Sequence, residues 1–361
     1  MHRTLLPALL AFSLLAGTPP AQERHIHTDR SGARILPLPQ EKDTFYFLIF
    51  GDRTGGPPEG IQVLRQAVKD ANLLGPDLVM TVGDLVQGYN ATPEWLKQAK
   101  EFKSVMDRLD VPWFPVVGNH DVYWRGKGRP EGEHEADFEK HFGPLYYYFT
   151  HKNAAFLCLY SDENDPETGR KGYGSKVPAG FNRFSDHQLA WLKKSLREVR
   201  KLDHVFLFMH HPRWDTSYYR GSNWDKVHEL LKQAGNVSAV FAGHIHRMRY
   251  DGKRDGIEYF TLATTGGHVG DWPQCGQLHH MNLVTVRPDG YKVATIPVGQ
   301  VMDPRLFTPD YITDLGRLRG WRPQVLTAPV ELGEEGDLAG VLALRLDNPS
   351  KRPIEVTTGL K

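Results

Sequence analysis

The chain has 361 residues, of which 40% are hydrophobic and 24% charged, so it can bury a large core in one domain or in two smaller ones. Its formal net charge at pH 7 is only +1, which indicates no broad basic surface. We therefore expect neither a nucleic-acid polymer nor an anionic membrane as its partner. These numbers do not indicate the oligomeric state.

The first residues show the order of charge, apolar run and small residues that is typical of a secretory signal peptide. Arg3 precedes an apolar run from Leu5 to Leu15, and small residues with prolines follow as far as Ala21. The run is shorter than the roughly 20 residues that a membrane span needs. We predict that residues 1–21 are a signal peptide and that the mature chain is secreted or periplasmic, without a transmembrane helix. An uncleaved N-terminal membrane anchor is the alternative.

The predicted elements begin near residue 44, where short apolar runs alternate with longer amphipathic segments. Six runs predict β-strands, namely Phe45–Gly51, Asp77–Gly83, Trp113–Gly118, Ala154–Tyr160, His204–Met209 and Ser238–Gly243. Four segments with apolar residues three and four apart predict helices, namely Gly60–Leu73, Pro93–Leu109, Ser185–Lys201 and Trp224–Ala234. Ser185 is expected to cap the third helix. This alternation predicts an α/β fold with a parallel or mixed sheet and helices outside it.

The later part of the chain is predicted to be rich in β-structure. Gly256–Ala263, Met281–Arg287 and Tyr291–Val298 follow one another without a helix, which favours neighbouring antiparallel strands. Residues 299–361 are predicted to be a linker and a β-hairpin tail that starts beyond the main domain at residues 44–298. The hairpin would turn at Asn348-Pro349-Ser350, between Val341–Leu346 and Ile354–Thr358. The tail either packs on the main domain or begins a truncated β-sandwich module.

Two further features concern loops. The stretch from Tyr123 to Ala179 is irregular and rich in Gly, Pro and charge, and long loops inside a domain are usually functional. The two cysteines are predicted to be free thiols, because Cys158 lies in an apolar run and Cys275 in a Pro/Gly loop. Two cysteines are also too few for a disulfide framework.

Polar clusters that follow the predicted strands indicate a metal site. There are five of them, Gly51-Asp52-Arg53-Thr54, Gly83-Asp84, Gly118-Asn119-His120-Asp121, His210-His211-Pro212 and Gly243-His244-Ile245-His246. In open α/β sheets, ligands gather beyond the carboxyl ends of strands. Carboxylate, amide and imidazole groups are the ligands that hold divalent transition metals at hydrolytic centres.

Because of its Gly-Asn-His-Asp and Gly-His-x-His motifs, the chain resembles the calcineurin-like metallophosphoesterase superfamily over roughly residues 44 to 298. The resemblance implies a four-layer αββα sandwich of two mixed β-sheets flanked by helices, with a dinuclear metal site between the sheets. It also implies a ligand set in which Asp84 bridges both metals. Asp52 and His246 would hold the first metal, and Asn119, His210 and His244 the second.

The predicted cofactor is a pair of divalent or trivalent transition-metal ions. Mixed oxygen and nitrogen ligation suits Mn, Fe, Zn or Co, and the sequence does not choose among them. Such a pair can share a bridging water, lower its pKa and clamp phosphoryl oxygens. His120 is the candidate general acid beside the metals, and Asp121 is expected to orient its ring.

The chain departs from the family pattern at two positions. Thr54 stands where the first motif usually has a histidine, and Gln87 stands where purple acid phosphatases have a tyrosine. Water, the Thr54 hydroxyl or the Gln87 amide is expected to complete the first site. This site is therefore predicted to bind metal more weakly than the second.

Six residues are candidates for substrate binding or for shaping the pocket: Arg53, Tyr123, Arg125, His211, Arg213 and His268. A capping surface arginine is the alternative for Arg53, and a structural turn is the alternative for His268. Tyr123 and Arg125 begin the irregular stretch and would face substrate as part of a lid.

The predicted function is hydrolysis of a small phosphate ester by attack of a metal-bridging hydroxide, and phosphomonoesters are slightly favoured as substrates. One alternative is a phosphodiesterase or nucleotidase that acts on nucleotides or glycerophosphodiesters. The other is a cell-surface binding protein without catalysis, whose metal site is vestigial.

Overall fold

The computed structural model describes residues 43–357 except 125–126, 129, 131, 164–182, 220, 328–340 and 342. The predicted signal peptide, Arg125 and residues 164–179 of the irregular stretch lie outside the described residues. None of the helices in the described ranges is long and apolar enough to cross a membrane.

Strands and helices alternate along the described chain, as the sequence predicts. The strands are β1 (Phe45–Phe50), β2 (Leu78–Thr81), β3 (Trp113–Phe114), β4 (Tyr147–His151), β5 (Ala154–Cys158), β6 (His204–Phe208), β7 (Val237–Ala242), β8 (Arg249–Arg254), β9 (Ile257–Thr261), β10 (His280–Arg287), β11 (Gly290–Pro297), β12 (Gln324–Val325) and β13 (Leu344–Arg345). The α-helices are α1 (Gly60–Leu74), α2 (Thr92–Met106), α3 (Asn119–Val122), α4 (Glu135–His141), α5 (Asp186–Glu198), α6 (Trp224–Ala234) and α7 (Pro309–Arg319). Ser185 caps α5 as predicted, since its hydroxyl accepts a hydrogen bond from the Gln188 amide at 3.0 Å.

Two large mixed sheets form the centre of the fold. The first has the strand order β11-β10-β1-β2-β3, in which β1, β2 and β3 are parallel and β10 is antiparallel to both of its neighbours. The second has the order β4-β5-β6-β7-β9-β8, with four parallel strands inside and an antiparallel strand at each edge. A separate small sheet pairs β12 with β13.

An aromatic layer holds the two large sheets face to face. The Phe47 ring of β1 lies 5.0 Å from the ring of Phe156 on β5 and 5.2 Å from that of Phe206 on β6, measured between centroids. All three side chains are fully buried. Aromatic rings bury large apolar areas and favour such tilted contacts, so this layer fixes the position of one sheet on the other.

Helices cover the outer face of each sheet. Trp95 and Phe102 of α2 pack with Leu48 of the first sheet, and Leu192 of α5 and Leu231 of α6 belong to the core of the second. The order from one side to the other is helix, sheet, sheet, helix, which confirms the predicted α/β fold class of two mixed sheets flanked by helices. Cys158 is buried and Cys275 exposed, and both are free thiols as predicted.

Two predicted strand pairings are wrong. Gly256–Ala263 does not pair with Met281–Arg287: β9 runs parallel to β7 in the second sheet, whereas β10 lies in the first. In the tail, β13 pairs with β12 and not with residues 354–357, which form no strand. The tail also contains α7, which the sequence did not predict and which Thr308 caps by accepting a hydrogen bond from the Tyr311 amide at 3.2 Å.

Candidate metal centre

The candidate ligands come together at the carboxyl ends of strands from both sheets. Asp52 and Asp84 follow β1 and β2 of the first sheet, and His210 and His244 follow β6 and β7 of the second. All four strands are internal strands of their sheets, β1 runs parallel to β2 and β6 runs parallel to β7. The ligands therefore follow the carboxyl ends of neighbouring parallel strands in each sheet. Asn119 and His246 complete the group from α3 and from the loop after β7.

We call Asp52 and His246 the first side of the centre. The Oδ2 atom of Asp52 lies 3.2 Å from Nε2 of His246 and accepts a hydrogen bond from the His244 amide at 2.9 Å. Nδ1 of His246 lies 2.7 Å from the carbonyl oxygen of His268. Since a carbonyl oxygen only accepts, Nδ1–H is the donor in this contact, and Nε2 is the ring nitrogen directed at Asp52.

We call Asn119, His210 and His244 the second side. The Asn119 Oδ1 atom lies 3.0 Å from Nε2 of His210 and 3.1 Å from Nδ1 of His244, and these two nitrogens are 3.2 Å apart. The other ring nitrogen of His210 donates to the carbonyl of Val82 at 2.8 Å. Three donor atoms from three separate segments thus converge on one point.

Asp84 lies between the two sides. Its Oδ2 atom is 3.2 Å from Nε2 of His210, and Asp52, Asp84 and His210 each offer a ligand atom within 4.8 Å of the others. Burial by itself would raise the pKa of Asp84, but the charges of His210 and His120 bring it far below its usual value. Burial likewise opposes protonation of His210, and the charges of Asp84 and Asp52 prevail and raise its pKa to about 10.

Three of the candidate ligands have a left-handed backbone, with φ of 56° at Asp84, 70° at His244 and 52° at His246. This conformation is unfavourable for residues with a Cβ and costs about 1–3 kcal/mol each. The surrounding structure therefore holds these side chains in place against a local conformational preference.

The donor set fits a pair of hydrolytic metal ions. Asp52 Oδ1 is buried and has no hydrogen-bond partner. Leaving a buried carboxylate oxygen unpaired costs folding free energy, and a metal ion bound there would satisfy it. His210 and His246 each use one ring nitrogen on a backbone carbonyl, which is the arrangement that orients metal-binding imidazoles. Carboxylate, amide and imidazole donors together suit Mn, Fe, Zn or Co.

His211 is close to the second side as well. Its ligand atom lies within 4.8 Å of those of His210 and His244. Its Nδ1 is 2.8 Å from Oδ2 of Asp162 and 3.2 Å from the hydroxyl of Ser161. Burial and the charge of Arg213 keep its pKa well below the usual value, so the imidazole is neutral. His211 is thus part of the centre and is positioned by two residues that sequence reasoning missed.

The structure places His120 at the centre but gives Asp121 another role than predicted. Nδ1 of His120 lies 2.5 Å from the carbonyl of Gln87 and 2.8 Å from the Thr54 hydroxyl. The Asp121 carboxylate instead accepts hydrogen bonds from four backbone amides, those of Asp84, Leu85, Val86 and Gly118, at 2.8–3.1 Å. The prediction that Asp121 orients the His120 ring is therefore wrong, because its oxygens hold the loop that carries Asp84.

Burial and the neighbouring charge of Asp84 raise the pKa of Asp121 to about 8, and the amides of Gly118 and Val86 oppose that shift. A carboxyl group in this position is sensitive to the charge of the whole centre.

Thr54 and Gln87 have structural contacts where the sequence suggested metal ligation. The Thr54 hydroxyl contacts His120, and it also donates to the Gln87 carbonyl at 3.3 Å. The Gln87 side chain accepts from the Gly55 amide at 2.9 Å and donates to the Gly56 carbonyl at 3.4 Å. Both ends of the Gln87 amide are engaged, so it holds the turn after Asp52 and is not a ligand in this arrangement.

Three of the candidates for substrate binding or pocket shaping, Arg53, Arg213 and Tyr123, have buried side chains that bond to other parts of the protein. Arg53 lies 3.5 Å from the Gly266 carbonyl in a cavity that α1 and α2 also line. Arg213 donates to the Ser161 carbonyl at 3.1 Å. Tyr123 donates to Asp162 at 2.9 Å.

His268 contributes through its backbone. Its carbonyl holds His246, and its own amide donates to the Thr54 carbonyl at 3.1 Å. Its side chain is exposed. The turn that contains His268 therefore supports the first side of the centre.

Tyr89 was missed by sequence reasoning. Its hydroxyl accepts a hydrogen bond from Asn119 Nδ2 at 2.5 Å, and its ring centroid is 4.0 Å from that of His120. The bond to Asn119 leaves Oδ1 of that amide turned toward His210 and His244. An aromatic residue in the loop after Asp84 was the only signal in the sequence.

Comparisons with known proteins found a matching family model and related sequences. The model of the calcineurin-like phosphoesterase family matches residues 45–248. A probable glycerophosphodiester phosphodiesterase of Arcobacter nitrofigilis is 28% identical over 181 residues, which are 48% of this chain and 58% of that protein. An uncharacterized protein of Bacillus subtilis is 26% identical over 252 residues, which are 64% of this chain and 18% of that protein. This chain thus spans less than two thirds of the length of either relative.

Solved structures share the fold. A dimetal phosphatase from Danio rerio superposes with a TM-score of 0.51 at 20% identity, covering 71% of this chain and 99% of that one. A purple acid phosphatase from yellow lupin seeds gives a TM-score of 0.53 at 14% identity, covering 74% and 53%.

Proposed function

Because the chain belongs to the calcineurin-like phosphoesterase family, we propose that it is a two-metal phosphoesterase whose substrates are phosphomonoesters. The convergence of Asp52, Asp84, Asn119, His210, His244 and His246 on one edge of the sandwich carries this proposal. Export from the cytoplasm is also part of it and depends on the character of residues 1–21.

The residues would share the two ions between the sides of the centre. Asp52 and His246 would hold one ion, Asn119, His210 and His244 the other, and Asp84 both. Two cations bound there would supply Lewis-acid stabilisation of phosphoryl oxygens and activation of water.

His120 is suited to protonate the leaving group. The Gln87 carbonyl accepts from Nδ1–H, so Nε2–H of the protonated ring is the proton available for an alkoxide oxygen. The His120 amide donates to Asp84 Oδ1 at 2.9 Å, which fixes this residue beside the shared carboxylate. Thr54 and Tyr89 contact the ring from two further directions.

A phosphodiesterase is the second candidate. It is favoured by the similarity to the Arcobacter nitrofigilis protein, whose name describes a probable glycerophosphodiester phosphodiesterase. The metal core serves either reaction, and the choice depends on groups that contact the second ester substituent.

Phosphate release from esters in the presence of Mn, Fe, Zn or Co, supplied in turn, tests the proposal. We expect turnover of p-nitrophenyl phosphate to exceed that of bis-p-nitrophenyl phosphate. His210→Ala should abolish the activity, whereas His187→Ala, at an exposed site on α5, should not change it. The reverse substrate preference would select the phosphodiesterase, and no turnover with any metal would favour a binding protein.

A further inference from the structure

An exposed aromatic ring lies beside the second side of the metal centre. Tyr218 is 67% exposed, and its ring centroid is 6.4 Å from that of His244. A large aromatic side chain that remains in solvent beside a candidate ligand is available to a bound molecule. None of the roles described above uses it.

The segment that carries Tyr218 is well anchored. The amides of Tyr218 and Tyr219 both donate to the Asp215 carbonyl, at 3.1 and 2.8 Å. The Asp215 side chain forms an ion pair with Arg249 at 3.0 Å. These contacts fix the backbone from which the Tyr218 ring projects.

The neighbouring ring adds to this anchoring. Tyr219 is buried, with its ring 5.6 Å from that of His211 and 4.8 Å from the guanidinium carbon of Arg213. The Tyr218 ring stands edge-on to it, with the centroids 4.9 Å apart. One tyrosine thus fixes the turn to the metal centre, and the other presents its ring outward at the rim. A surface held in advance loses less entropy when it binds a partner.

We propose that Tyr218 is a stacking surface for a planar leaving group, so that the preferred substrates are phosphate esters of nucleosides. This inference rests on the proposed function and names its substrate class. With the phosphate between the two sides, the ribose of a nucleotide would carry the base outward past His244 toward the rim. Stacking of a base on an aromatic side chain changes affinity by about five- to 150-fold.

Adenosine 5′-monophosphate and ribose 5-phosphate make a matched test, because in both the 5′ oxygen of a ribose is the leaving oxygen and only the nucleotide carries a base. We expect wild-type kcat/KM to be at least about fivefold higher for the nucleotide. Tyr218→Ala should remove this preference and Tyr218→Phe should keep it. Tyr46→Ala is the control, since Tyr46 is also exposed but lies on β1, at the end far from Asp52. An unchanged preference in Tyr218→Ala, or none in the wild type, overturns the inference.

A binding measurement separates this inference from the proposed function. Adenosine has no phosphate to hydrolyse, and calorimetry can compare its affinity for the full chain and for Tyr218→Ala. We expect at least about fivefold weaker binding to the variant. If neither phosphate ester is turned over but adenosine binding depends on Tyr218, the hydrolytic function fails and the stacking surface stands. Equal binding to both proteins overturns the stacking surface.

Discussion

On the second side of the metal centre, the donor atoms of Asn119, His210 and His244 lie 3.0–3.2 Å from one another. On the first side, Asp52 Oδ2 lies 3.2 Å from Nε2 of His246, and the side chain of His246 is 20% exposed. The first side depends more on nearby backbone, through the turn at Gly55 and the carbonyl of His268. The ligands of the second side thus support one another directly. The ligands of the first side are instead held by backbone groups of nearby loops. Two unequal metal affinities should follow, and a titration that gives two equally tight sites would contradict this comparison.

The largest effect is expected from Asp84→Asn, which weakens both sides at once. The neutral amide removes the negative charge that two cations would share, and we expect kcat/KM to fall by at least about 10³-fold. Metal analysis of the dialysed variant should show less than one ion per chain. Two retained ions would exclude a shared role for Asp84.

Next in size is the difference between His210→Ala and His246→Ala. Loss of His246 should release the first-side ion and leave one tightly bound ion per chain. Loss of His210 should weaken metal binding at the second side, where we expect the metal affinity to fall by more than about 100-fold. That is the upper end of the loss that removal of a supporting contact causes. Calorimetric titration of the two variants measures this, and equal losses at both sites would show that the sides are not independent.

Gln87→Ala should weaken the first side alone. The side chain holds the Gly55–Gly56 turn, and removing such a support typically lowers metal affinity by about 10-fold or more. The second site should keep its affinity. Gln233→Ala, at an exposed position on α6, is the control. An equal loss at both sites would mean that Gln87 acts on the whole centre.

The smallest expected effect is that of Thr54→Val, which keeps the shape of the side chain and removes its hydroxyl. The hydroxyl contacts His120, so we expect kcat to fall by about two- to tenfold. Metal affinity should not change. A weaker first site in this variant would show instead that Thr54 is a ligand.

The sequence predicted those features that depend on the pattern of side chains alone. The amphipathic pattern of Gly60–Leu73 and the apolar run at Phe45–Gly51 predicted α1 and β1 almost to the residue. The two histidine-containing words after strands located the centre, because strand ends and ligand side chains are both visible in a sequence.

The predictions were wrong where the structure depends on backbone hydrogen bonds or on contacts between segments that are distant in the sequence. Asp121 binds amides of the loop at Asp84–Val86, and no pattern shows which backbone N–H groups lack a partner. The strands β9 and β10 are consecutive, but the turn at Thr264 crosses from one sheet to the other by bridging Asp52 and His279. Local periodicity predicts a strand without indicating which sheet it joins.

The left-handed backbone at Asp84, His244 and His246 lowers the stability of the fold, whereas the side chains at these positions supply candidate metal ligands. Glycine would fit each of these turns better than the residue present, since it has no Cβ to crowd the preceding backbone. A lineage that no longer needed the chemistry would gain stability by mutating toward glycine there. Glycine at any of these positions would relieve the strain and at the same time remove a candidate ligand, so stability and metal binding place opposite demands on the same three residues.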